Sequence, residues 1–153
     1  MKRIIPIIPL FVLLTGCPTN SPVVTPAVTV EVKVATALNV VSQACQDATR
    51  TILAIYPDNT QDRRDVLNVI AQIVKLNVQA RKTLEAVSKN PLATPADVVG
   101  AMKPLVFGIQ ASLSQGLLGI KNPEVKQRAT EVLLAIQVGL TVAQGILEVT
   151  YGS

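Results

Sequence analysis

Residues 34–57 read VATALNVVSQACQDATRTILAIYP, and the spacing of their apolar side chains decides the fold. Val34, Leu38, Val41, Cys45, Ala48, Ile52 and Ile55 fall at alternating steps of four and three. That spacing gathers small and apolar side chains on one face of a helix turning every 3.6 residues. Tyr56-Pro57 predicts the helix end, because the residue before a proline is pushed out of helical backbone. Asp58-Asn59-Thr60 then offers capping side chains to the next helix.

Outward from this stretch the same pattern recurs. A second helix is predicted from about Gln61 to Ser88, with Val66, Ile70, Ile73, Ala80, Leu84 and Val87 inward and Asn68, Gln72, Lys75, Gln79 and Lys82 outward. Thr94-Pro95-Ala96-Asp97 marks the third start: a hydroxyl at the cap, a proline where a missing N–H costs nothing, and a carboxylate in the positive first turn. Gly119 is placed to end that helix, and Asn122-Pro123-Glu124 opens a fourth that continues to about Thr150. Pro104 lies inside the third helix; it removes a backbone donor and crowds the Gly100 carbonyl, which predicts a kink or a break there. Four segments of about 25 residues, at 1.5 Å each, make rods of about 37 Å. Matched rods joined by short connections predict an all-α, up-down-up-down four-helix bundle over residues 29–153, with the third helix kinked near Pro104.

Upstream, Lys2 and Arg3 precede an apolar run from Ile4 to Leu14 that is too short to span a bilayer and closes on Leu14-Thr15-Gly16-Cys17. This segment resembles the signal peptide and lipobox of bacterial lipoproteins. The resemblance implies cleavage after residue 16, a covalent lipid on Cys17 as the new first residue, and residence in the cell envelope. Pro18, where an aspartate would retain such a protein in the inner membrane, implies an outer-membrane anchor facing the periplasm in a cell with two membranes. Two or more acyl chains hold a protein firmly on a membrane. Residues 17–28, with Pro18, Pro22 and Pro26, then read as the lipidated cysteine and an extended tether. The resemblance covers residues 1–18, and bacterial lipoproteins share no common activity.

Composition narrows the chemistry. The chain has no histidine, which removes the usual general base and the commonest metal ligand. With Cys17 acylated, Cys45 stands alone, so neither an internal disulfide nor a cysteine metal site is expected. Cys45 sits on the inner stripe and reads as a small core residue. Asp62, Arg63, Arg64 and Asp65 read as a solvated first turn. No phosphate loop, nucleophile elbow or zinc signature occurs. Loss of Lys2 and Arg3 with the leader leaves 12 of the 14 basic side chains against 10 acidic ones, too even a balance to suggest nucleic acid. The expectation is a protein that is not an enzyme and carries no catalytic residue, metal or cofactor beyond the lipid on Cys17.

Two surfaces remain. No charge interrupts Pro104 to Ile120 or Val132 to Leu147. An apolar hairpin over residues 104–147 inserted in a bilayer is one reading, with Gly139 and Gly145 allowing close helix approach. Both runs are shorter than the roughly 20 residues of a span, and both carry glutamines, which favours core helices. The other surface is a nearly uncharged face, Gln137, Thr141, Gln144 and Glu148, of the kind found at the centre of a protein interface. The sequence therefore predicts a lipid-anchored envelope protein that binds or scaffolds another protein, or itself, through a helical face; the alternative is a membrane-active or exclusion protein.

Overall fold

A computed structural model describes residues 26–151; the leader, Cys17 and residues 18–25 of the predicted tether lie outside the described residues. The described chain forms α1 (Pro26–Ile55), α2 (Gln61–Ser88), α3 (Pro95–Gly119) and α4 (Pro123–Tyr151). α1 packs on α2 and α4, α3 packs on the same two helices, and α1 touches α3 across the diagonal. Lys33 of α1 and Val149 of α4 line one hollow, and Val41 lies against Gly139. α1 and α4 are therefore antiparallel, and the start of one shares an end of the bundle with the finish of the other. This is the predicted up-down four-helix bundle.

The core follows a repeat of four and three on every helix. Val34, Leu38, Val41, Cys45, Ala48 and Ile52 of α1 meet Val66, Ile70, Ile73, Ala80 and Leu84 of α2. Val99, Met102, Val106, Ile109 and Leu113 of α3 and Leu133, Ile136, Leu140, Ala143 and Leu147 of α4 complete it. A repeat averaging 3.5 residues keeps one seam facing the neighbours along the whole length, as in other bundles. Two inner assignments need correction. Ile55 is 43% exposed and Tyr56 takes its place in the core, because the last step of the stripe is four residues from Ile52 rather than three. Val87 is only partly buried, as the α2 stripe runs out at the helix end.

Helix ends obey the local chemistry. The Thr60 hydroxyl accepts from the Arg63 N–H at 3.3 Å, and Asn59 before it takes φ 63°, a left-handed value that asparagine tolerates better than most residues. Thr94 and Asp97 form a reciprocal box: the Thr94 hydroxyl accepts from the Asp97 N–H at 3.3 Å, and the Asp97 carboxylate accepts from the Thr94 N–H at 2.8 Å. Asn122 accepts from the Glu124 N–H at 3.1 Å. α1 begins at Pro26, so the helical domain starts ahead of residue 29 and takes the end of the predicted 17–28 tether with it; a proline suits the first helical position. Pro104 does not break α3, which runs as one helix from Pro95 to Gly119. Gly100 and Pro104 are both exposed, so a backbone carbonyl freed by the proline lies on the solvated side.

Two glycines set helix separations. A Cβ on Gly116 would come within 2.7 Å of the Val69 side chain, and one on Gly139 within 3.0 Å of Val41. The first fixes how closely α2 approaches α3, the second how closely α1 approaches α4. Gly145, expected to do the same, faces open space instead.

Candidate functional site

Between α1 and α2 the core contains one polar side chain that the apolar pattern hides. Asn77 is 2% exposed and occupies the inward position between Ile73 and Ala80. Its amide nitrogen donates to the Leu38 carbonyl at 3.1 Å and to the Ser42 hydroxyl at 2.7 Å, while its amide oxygen has no protein partner. A single buried asparagine in a helical seam costs stability and fixes register, since any other register leaves the amide unpaired. Asn77 is thus a pin between two helices. Cys45 is buried nearby in sequence space on α1, and desolvation pushes its thiol up to about 11, so it stays protonated and unreactive at neutral pH. The Asp62–Asp65 cluster is a solvated network: Arg63 pairs with Asp58, Arg64 donates to Gln61, and Gln61 donates to Asp65. Among the described residues no group of His, Cys, Asp and Glu could hold a metal ion.

The outer surface of α4 is the feature with chemical character. Its first turns carry Glu124, Gln127, Arg128 and Glu131, which together line a polar hollow. Beyond Glu131 the outward positions change to Leu134, Val138, Val142 and Val149, each more than half exposed. Steps of four, four and seven keep these side chains on one ridge along the helix. Gly145 falls on the same ridge and leaves a hollow beside it, lined by Lys33, Val142, Ile146 and Val149. Val40 of α1, about half exposed, stands 3.4 Å from the Cβ position of Gly139 and widens the apolar surface on that side. Contiguous exposed apolar surface rimmed by polar residues is a feature of contact surfaces.

The four residues singled out in the sequence flank this ridge on the side of α3. Gln137, Thr141 and Glu148 are exposed and Gln144 is half-buried. Gln144 is committed within the fold, its amide donating to Gln110 of α3. Gln137 borders a shallow α3–α4 hollow with Gln110, Leu113, Ser114 and Leu117, and the Thr141 hydroxyl turns back to the Gln137 carbonyl at 3.0 Å. The apolar ridge is not among the surfaces the sequence predicts, because the uncharged run from Val132 to Leu147 reads as a core helix. The signal was present: once Leu133, Ile136, Leu140, Ala143 and Leu147 fill the inner stripe, Leu134, Val138 and Val142 have no inward position left.

One expectation about length also shifts. Pro123–Val149 is long and apolar enough to cross a membrane by length and composition, although the uncharged part alone is not, and a third of its most apolar window is buried in the bundle. Comparison of the chain with protein-family models, with curated proteins and with solved structures returns no match.

Proposed function

We propose that this chain is an exported, lipid-anchored envelope protein whose helical domain is a non-enzymatic binding or scaffolding module, and that α4 presents the binding face. The observation that carries this reading is the ridge of Leu134, Val138, Val142 and Val149, exposed on a helix whose opposite side is fully engaged in the core. A contact surface depleted of charge and rich in apolar side chains is the composition of an interface centre. The lipobox-like Leu14-Thr15-Gly16-Cys17 supports the anchor, and Pro18 supports the outer membrane as its place in a cell with two membranes. The residues Gln137, Thr141 and Glu148 serve as its polar rim on the α3 side.

Membrane insertion of residues 104–147 is the second reading, favoured by the length and apolarity of Pro123–Val149. Against it stands what insertion would undo: Val106, Ile109, Leu133, Ile136, Leu140 and Leu147 would all have to leave the core. Photoreactive side chains placed at Val142 and, as a control, at Gln72 decide between the two in living cells. Discrete protein adducts from Val142 and none from Gln72 are expected. Adducts to lipid alone from Val142, with the Cys17→Ser protein resisting carbonate extraction, would replace the binding reading by the membrane one.

A further inference from the structure

We propose that the α4 ridge is the interface of a homodimer in which two copies pair α4 antiparallel to α4, with the two-fold axis passing between Thr141 and Val142. The proposal rests on the reading of α4 as a binding face and names the occupant as a second copy of this chain. Three observations lead to it. The first is that the ridge is self-complementary end to end. In an antiparallel pair centred beside Val142, Val138 of each copy lies opposite Gly145 of the other, and Leu134 lies opposite Val149. Gly145 carries no side chain and has open space where its Cβ would stand, within a hollow of about 340 Å³. A projecting valine therefore meets a recess on both sides of the axis, as an isologous contact demands.

The second observation is charge. The ridge has Glu124, Arg128 and Glu131 before Leu134 at one end, and Lys33 beside Val149, with Glu148 on the other flank, at the other end. Antiparallel pairing brings Lys33 of each copy toward the end of its partner that carries Glu124 and Glu131, whereas parallel pairing would set Glu131 against Glu131. Opposed like charges disfavour the parallel arrangement. The same pattern argues against a lipid leaflet as the occupant, because helices that lie in a membrane surface are bordered by Lys and Arg. Here Lys33, Lys126 and Arg128 are matched by Glu124, Glu131 and Glu148, so the border is mixed rather than basic.

The third is size. From Leu134 to Val149 the ridge is about 22 Å long at 1.5 Å per residue. One helix pair of that length is a small contact beside the roughly 800 Å² per partner of a stable soluble dimer. Confinement of both copies to one membrane raises their effective concentration and compensates for the small area. Residues 17–25 can reach at most about 30 Å, which lets acyl groups at opposite ends of the pair enter one leaflet.

Oxidative crosslinking in cells of the full acylated chain with cysteines added on the ridge tests the register, since a disulfide requires Cα atoms within about 7 Å. Cys45 is buried and contributes no background. Val142→Cys should give a covalent dimer, Val138→Cys and Val149→Cys alone should not, and Val138→Cys combined with Gly145→Cys should. Either Lys33→Glu or Glu131→Lys should lower the Val142→Cys dimer yield by up to about five-fold, and the two together should restore it. Dimers from all three single variants would mean parallel pairing and would overturn the proposal. No dimer from any of them, with Val142 photo-adducts to a different protein, would also overturn it while leaving the binding reading in place. Adducts to lipid alone would end both.

Discussion

On α2 the side chains opposite the core stripe, Asn68, Gln72, Lys75, Gln79 and Lys82, are polar or charged and exposed, and two valines, Val74 and Val78, are exposed to a lesser degree than the α4 ridge. On α4 the outward positions beyond Glu131 are Leu134, Val138, Val142 and Val149, each more than half exposed. The two helices bury similar stripes, so they are equivalent as parts of the bundle. The difference lies on the far side, where packing places no demand. Water accounts for the composition of the α2 exterior. It does not account for four large apolar side chains in register on α4, and the contact proposed for that face does.

The inner stripes of both helices should respond alike, and strongly. Ile73→Asp, at a position with no exposure, should unfold the domain or cost it several kcal/mol, because a carboxylate would be buried without a partner. Gln72→Asp, its exposed neighbour, should leave the thermal melt unchanged. On α4 the same contrast takes another form. Leu140→Ala should cost about 2–5 kcal/mol by opening a core cavity, whereas Leu134→Ala should keep its melting temperature and weaken association. Equal melts for Leu140→Ala and Leu134→Ala would mean that the two faces of α4 are misassigned.

Glycines sharpen the contrast at smaller magnitude. Gly116→Ala should destabilise by about 1–3 kcal/mol, since the new methyl overlaps Val69 between α2 and α3. Gly145→Ala meets nothing within its own bundle and should raise stability by about 0.5–1 kcal/mol through helix propensity, while filling the recess that the partner's Val138 is proposed to enter. Chemical denaturation reports the first effect, and crosslinking yield the second.

The smallest effect belongs to a helix end that neither face uses. The Asp97 carboxyl is held below its ordinary range by the Thr94 backbone N–H and then by the Thr94 hydroxyl. A carboxyl depressed in the folded state contributes stability above its unfolded value, and that contribution fades as pH falls through the folded one. Thr94→Ala removes the hydroxyl and keeps the backbone N–H, so it should lower the melting temperature by a few degrees at neutral pH through loss of the cap and flatten the fall in stability on the acid side only in part.

The bundle was legible in the sequence because its determinants are local. Spacing of four and three, a threonine or asparagine before each later helix, and prolines at helix starts each act within a turn or two. Ile55 went wrong by one residue, where a continuing three-residue step was assumed and the chain instead closed over Tyr56. Asn77 was missed for the opposite reason: its polarity argued outward, and only the neighbouring helix supplies the Leu38 carbonyl and Ser42 hydroxyl that make burial tolerable. Gln144 looked like part of an interface and proved to be bonded to Gln110, a pairing set by how α3 and α4 dock. The α4 ridge required knowing which apolar residues the core consumes and which it leaves over.

The most direct measurement is a comparison of Val142→Lys with the unaltered acylated protein, each solubilised in mild detergent and examined by sedimentation and far-UV circular dichroism. Val142 is 53% exposed, so a lysine there can keep its charge in water when the copy is alone. The account predicts an unchanged helical spectrum and melting temperature together with loss of the associated species. Retained association in a fully folded Val142→Lys protein would contradict it.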